Sequence, residues 1–137
     1  MDTERLSGGC LCGAVRFQVS GPPYRAGVCH CLDCRKAHGA AFATFACCKR
    51  RELSVTGADN LTVYHSSPPV QRSFCRTCGA SLFFAHDGAP KLIWIAAGTL
   101  DAGAPTPDAH CFAASKASWW TIVDELPQHE RLRPEYA

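Results

Sequence analysis

Val15, Phe17 and Val19 alternate with Arg16, Gln18 and Ser20, the period-two pattern of a strand with one buried face. Gly21-Pro22-Pro23 ends it. Further apolar runs predict strands at Tyr24–Cys29, Phe42–Cys48, Leu53–Thr56, Leu61–His65 and Val70–Phe74, then at Ala80–Ala85, Leu92–Ala97 and Ala109–Ala113. The breaks between them are turn-formers, such as Gly57-Ala58-Asp59-Asn60, Ser66-Ser67-Pro68-Pro69 and His86-Asp87-Gly88-Ala89-Pro90. Only Leu32–His38 reads as helix, short and polar enough for one or two turns. Short apolar runs at this spacing predict a mainly β protein, a sandwich or an open barrel. No repeat, linker or second pattern interrupts it, so residues 1–137 read as one domain with its core between about 7 and 127. The segment from Asp124 onward, rich in charge and proline, is expected to dock loosely or fray.

Composition narrows the function classes. A chain of 137 residues, 47% hydrophobic, supports one core. Its net charge is +2 with 19% charged residues, too weak a field to hold nucleic acid or an anionic membrane. Lys49-Arg50-Arg51, followed by Glu52, reads as a solvated turn. The runs Ala40–Cys48 and Leu92–Ala97 fall far short of a bilayer span. The opening MDTERLSGG has no basic stretch followed by an apolar one, which sets the expectation of a cytoplasmic protein. Trp119 and Trp120 fit either a ligand groove or edge packing of a late segment.

Cysteine is the outlier, with ten in the chain. In a reducing compartment metal ligation is the stronger reading than a disulfide scaffold, and the spacing agrees. Seven fall into three clusters: Cys10-x-Cys12, Cys29-x-Cys31-x2-Cys34 and Cys75-x2-Cys78. Local groups of this kind converge on an ion and are poorly placed to staple distant chain. Cys47, Cys48 and Cys111 lie in apolar surroundings and read as buried, inert thiols. Cys10, Cys12, Cys75 and Cys78 make four thiolates, which fill the tetrahedron of zinc and mark a structural site. Cys29, Cys31 and Cys34 make three, the number that leaves a catalytic zinc an open position. The rival is a closed site with a fourth ligand from His30, His38, His110 or Cys111. His30 is the least suited, because it points away from its neighbours in an extended segment. Two such ions, with seven thiolates, turn the nominal +2 into −1. Three thiolates make zinc a modest Lewis acid that suits an incoming thiol better than water. The H-x-E and P-C-x-x-C signature of zinc deaminases is absent.

The stretches GGCLCGAVRF, CHCLDCRKAHGAAF and RSFCRTCGASLFF, with IAAGTLD and a histidine followed by SKASWW, resemble the glutathione-dependent formaldehyde-activating enzyme family, also called the CENP-V/GFA domain. The resemblance runs from Ser7 to about Pro127. It implies a zinc-bound β-tent, with a structural zinc on Cys10, Cys12, Cys75 and Cys78 and a catalytic zinc on Cys29, Cys31 and Cys34. It also implies a carbon–sulfur lyase that joins glutathione and formaldehyde as S-hydroxymethylglutathione, or runs in reverse. Glutathione carries two carboxylates, so basic residues should line its groove. Arg35 and Lys36 directly follow the third ligand, and Arg72 and Lys116 are further candidates. His110 fits either a proton relay or a structural histidine. Two other readings stand beside the enzyme: a zinc-stabilised binding module, and a thiol-stress sensor using Cys47-Cys48 or the three-cysteine cluster.

Overall fold

A computed structural model describes residues 6–101, 103 and 105–132. The predicted runs become β2 (Arg16–Val19), β3 (Arg25–Cys29), β4 (Ala43–Lys49), β5 (Leu53–Thr56), β6 (Leu61–Ser67), β7 (Val70–Cys75), β8 (Ser81–His86), β9 (Leu92–Ala96) and β10 (His110–Cys111). The helix α1 spans Leu32–His38. One further strand, β1 (Leu6–Gly9), precedes them. Its Leu-Ser-Gly-Gly sequence carries no strand signal, and geometry explains why. A Cβ on Gly8 would stand 2.2 Å from the Thr99 carbonyl oxygen, so only glycine permits the bridge between Gly8 and Leu100.

Two sheets result, a three-stranded one in the order β1-β2-β5 and a seven-stranded one in the order β10-β3-β4-β9-β8-β7-β6. Neighbours are antiparallel except β10, which lies parallel to β3. The core lies between the sheets. Phe17 and Val19 from the small sheet, with Val15 just before β2, meet Leu82, Phe83, Ile93 and Ile95 from the large one, and the rings of Phe17 and Phe83 stand 5.3 Å apart. Because strand side chains alternate, the same strands turn a second set outward. Phe45, Phe84 and Trp94 pack with Cys34 of α1 on the opposite face of the large sheet. The fold is therefore mainly β, two open sheets with a single short α-helix and four 3-10 turns among the described residues. No helix of the described residues is long and apolar enough to cross a membrane.

The segment after Asp124 is docked, against the expectation of loose ends. The His110 amide donates to the Pro127 carbonyl (2.8 Å), the His129 amide to the His110 carbonyl (2.8 Å), and the Phe112 amide to the Arg131 carbonyl (2.9 Å). These bonds extend the sheet beyond β10 and satisfy an edge that would otherwise be open. Charge and proline marked this stretch as exposed, which it is, but an exposed strand edge is held by its backbone.

Candidate metal centres

The first cluster sits where the two sheets meet. Cys10 and Cys12 flank the turn after β1, and Cys75 and Cys78 the turn between β7 and β8. Their sulfurs lie within 4.8 Å of one another. The Cys10–Cys12 separation is 3.6 Å and the Cys12–Cys75 separation 3.8 Å. A tetrahedron with metal–sulfur bonds of about 2.3 Å has edges of about 3.8 Å, so the donor set fits a tetrahedral ion. The surroundings favour thiolates. The Val15 amide donates to Cys10 Sγ (3.3 Å). Asn60 Nδ2 (3.2 Å) and the amides of Thr77 (3.4 Å) and Cys78 (3.5 Å) donate to Cys75 Sγ. The Cys78 amide first, and the Thr77 amide with it, hold Cys75 below the usual thiol range. Gly79 permits the tight knuckle with φ +78°, and its amide returns to the Cys75 carbonyl (2.8 Å).

The second cluster sits on the outer face of the large sheet. β3 ends at Cys29, Cys31 caps the N-terminus of α1, and Cys34 lies in its first turn. Here too the three sulfurs lie within 4.8 Å of one another. Among the described residues no histidine, carboxylate or further cysteine joins either group. The Cys34 amide donates to Cys31 Sγ (3.3 Å). Hydrogen bonds with the Cys29 and Cys34 thiols hold Cys31 far below the usual thiol range, and the Arg72 guanidinium adds to this. The bond to Cys31 raises Cys29 in turn. Against the lowering bond from Cys29, the neighbouring Cys31 and desolvation likewise raise Cys34, so the cluster favours one thiolate, on Cys31, with the other two thiols drawn around it.

Cys29, Cys31 and Cys34 also line a cavity of about 640 Å³, within the range of ligand pockets. Its floor is aromatic: Phe45 packs tilted against Phe84 and Trp94 edge-on to it, with ring centroids 5.7 and 5.6 Å apart. Arg72 enters from β7. Both its Nη atoms lie 3.7 Å from Cys34 Sγ, its Nε donates to Ser66 Oγ (2.9 Å), and its guanidinium stands 5.1 Å over the Phe84 ring. Arg25, paired with Asp108 at 3.2 Å, lines the same cavity. Phe112, the residue after β10, also lines it, with a left-handed φ of 54°.

The other basic candidates face elsewhere. Arg35 donates to the Ser115 carbonyl (3.3 Å), Lys36 is exposed on α1, and Lys116 donates to the Ala117 and Trp120 carbonyls. None of the three lines the cavity. Arg72 was the less favoured candidate because its strand position gave no hint of the helix facing it. Of the proposed fourth ligands, His30 and His110 are bonded to each other at 2.8 Å, His38 stands edge-on to Phe45, and Cys111 lines the cavity. Cys47 and Cys48 are buried in β4. Trp120 packs edge-on against Phe42, while Trp119 is exposed.

Comparison with known proteins agrees with this arrangement. The family described as glutathione-dependent formaldehyde-activating enzyme (GFA) matches residues 5–115. A Halomonas elongata protein, provisionally named a glutathione-dependent formaldehyde-activating enzyme, is 33% identical over 126 residues, covering 85% of this chain and 80% of its own. A Schizosaccharomyces pombe protein described as an uncharacterized lyase is 34% identical over 130 residues, covering 87% and 92%. A crystal structure of a Rhodobacter sphaeroides protein superposes with a TM-score of 0.61 at 30% identity, covering 72% of this chain and 91% of that one. The chain belongs to the GFA family.

Proposed function

We propose that the protein is a zinc-dependent carbon–sulfur lyase acting on a thiol adduct such as S-hydroxymethylglutathione, in either direction. One observation carries the reading: the three-cysteine cluster opens on a ligand-sized cavity, whereas the four-cysteine cluster is set in the seam between the sheets. Cys10, Cys12, Cys75 and Cys78 would hold a structural zinc, and Cys29, Cys31 and Cys34 a catalytic one. A zinc ion held by the trio supplies acidity to a thiol at neutral pH. The names of the relatives support a lyase of this type.

The chain's own residues bind and orient. Arg72 faces the cavity with a guanidinium that suits a substrate carboxylate, and its stacking on Phe84 fixes the approach. Phe45, Phe84 and Trp94 exclude water from one side of the reacting groups. In the joining direction the sulfur–carbon bond forms, and the thiol proton ends on the former carbonyl oxygen. In the reverse direction that bond breaks, and the proton returns to sulfur. Placing thiol and carbonyl side by side is worth much of the rate in such an addition. We assign the partner as a small glutathione-like thiol in the cytoplasm rather than nucleic acid or a membrane. The test is exchange NMR of zinc-loaded protein with glutathione and formaldehyde. Adduct exchange should accelerate and saturate in glutathione, and Cys31→Ser should abolish the acceleration. An exchange rate equal to the spontaneous one sinks the proposal.

A further inference from the structure

Behind the three-cysteine cluster runs a hydrogen-bonded chain, buried at its two histidines and exposed at its aspartate, that the proposed reaction does not use. His30 Nε2 lies 2.8 Å from His110 Nδ1, and His110 Nε2 lies 3.0 and 3.1 Å from the two carboxylate oxygens of Asp124. His30 is fully buried and His110 is 4% exposed. We propose that Asp124, His110 and His30 are positioning residues: they lock the peptide carrying Cys29 and Cys31, so the C-terminal segment sets the metal affinity of the trio. This inference rests on the trio being a metal site.

The argument starts from the backbone. His30 stands between two of the three cysteines in extended chain, so its side chain points away from theirs. Any rotation of the flanking peptides that moved the two sulfurs would have to withdraw the imidazole from its buried site. Phe42 holds one side of that ring (5.4 Å between centroids), with Trp120 behind it (5.5 Å). His110 supplies the polar anchor, because the other ring nitrogen of His30, Nδ1, is buried with no partner among the described residues. The backbone is fastened to the same strand: the His30 amide donates to the Cys111 carbonyl (3.0 Å).

The far end of the chain is held as firmly. An ionised Asp124 only accepts, so His110 donates through Nε2. In its neutral form His110 then accepts at Nδ1 from His30 Nε2–H. The Leu126 amide donates to Asp124 Oδ1 (3.0 Å), and the residues that follow are tied to β10 through the Pro127 carbonyl and the His129 amide. Breaking the chain at Asp124 leaves buried His110 without its carboxylate, and the disturbance reaches Cys29 and Cys31 through the His30 imidazole and through β10, which pairs with β3 at Cys111 and Cys29. Partners of this kind, one step removed from a metal, change its affinity by about 10–100-fold.

The test titrates the full-length zinc-loaded protein with a chromophoric chelator, reading the two metals in turn. Asp124→Ser keeps a short acceptor for the Leu126 amide but withdraws from His110. Asp124→Asn keeps both acceptor roles. The expected result is a loss of about tenfold in affinity of the weaker site for Asp124→Ser, with the tighter site unchanged and affinity restored in Asp124→Asn. A nitrogen-15 imidazole spectrum should show an exchange-protected His30 N–H in the wild type and in Asp124→Asn, and lose it in Asp124→Ser. Unchanged affinity in Asp124→Ser, or equal loss in the Asn variant, overturns the inference alone. A wild-type protein that takes up a single metal overturns the metal reading of the trio and this inference with it.

Discussion

Replacing Cys75 and Cys31 by serine, one at a time, separates the two metal clusters by what each does for the fold. The first cluster links Cys12 to Cys75, 63 residues apart. In the chain-entropy treatment of a cross-link, closing a loop of that length is worth about 4 kcal/mol at room temperature. The second spans only Cys29 to Cys34, and α1 already holds Cys31 beside Cys34 through the amide bond at 3.3 Å. The same treatment gives that short loop about 2 kcal/mol at most. A domain of this size loses about 4 °C of melting temperature per kcal/mol. Cys75→Ser should therefore lower the midpoint by about 16 °C and leave the Thr77, Cys78 and Asn60 donors poorly partnered. Cys31→Ser should lower it by no more than about 8 °C while abolishing activity. The assay is thermal circular dichroism at saturating zinc, with metal content measured on the same samples. If Cys31→Ser destabilises as much as Cys75→Ser, the division into a clamp and a working site is wrong.

Three further outcomes follow from the same geometry. Arg72→Met removes the guanidinium beside Cys34 and over Phe84, and saturable glutathione binding measured by calorimetry should weaken about tenfold, the scale of one charged hydrogen-bonded contact; undiminished binding would place the substrate carboxylates elsewhere. Burial first, and then Glu52, push the Cys48 thiol up to about 11. Because that value lies above the ordinary one, its contribution to stability is complete below pH of about 9 and fades as pH rises toward 11. Native zinc-loaded protein at pH 8 should therefore show no alkylation at Cys48 by mass spectrometry, and rapid labelling there would revive the thiol-sensor reading. Gly8→Ala drives a Cβ to within 2.2 Å of the Thr99 carbonyl oxygen and 2.7 Å of Phe17, so the melting temperature should fall by about 10 °C, as overpacking of a core does; a shift under about 2 °C would show that the strand crossing yields.

What could be read from the chain was whatever lies in local pattern. Period-two alternation located Arg16–Val19, and length with turn-formers located the runs that became β3 to β10. Cysteine spacing named the two groups whose sulfurs the fold gathers. The missed features depend on contacts between distant segments. β1 is a strand because Gly8 lets Thr99 and Leu100 come close, and nothing within Leu-Ser-Gly-Gly signals that. Arg72, 38 positions from Cys34, reaches its sulfur at 3.7 Å, whereas proximity in sequence favours Arg35 and Lys36. The motif Ser-Lys-Ala-Ser-Trp-Trp has a structural part as well: Lys116 ties down the Ala117 and Trp120 carbonyls, and Trp120 backs Phe42 behind His30.

The two cysteine groups lie on different sides of the large sheet because a β-sheet has two faces. On β9, Ile93 and Ile95 enter the core against the small sheet, while Trp94 turns to the cavity. On β4, Cys48 joins the core and Phe45 the cavity floor. Cys10 and Cys75 belong to the core side, so an ion held there would draw the two sheets together. The trio belongs to the cavity side, where among the described residues no second sheet covers the large one and α1 packs at Cys34. A chain this small cannot bury both faces of a seven-stranded sheet. The uncovered face is the one available for a ligand, and the trio that lines it is the cluster a substrate can reach.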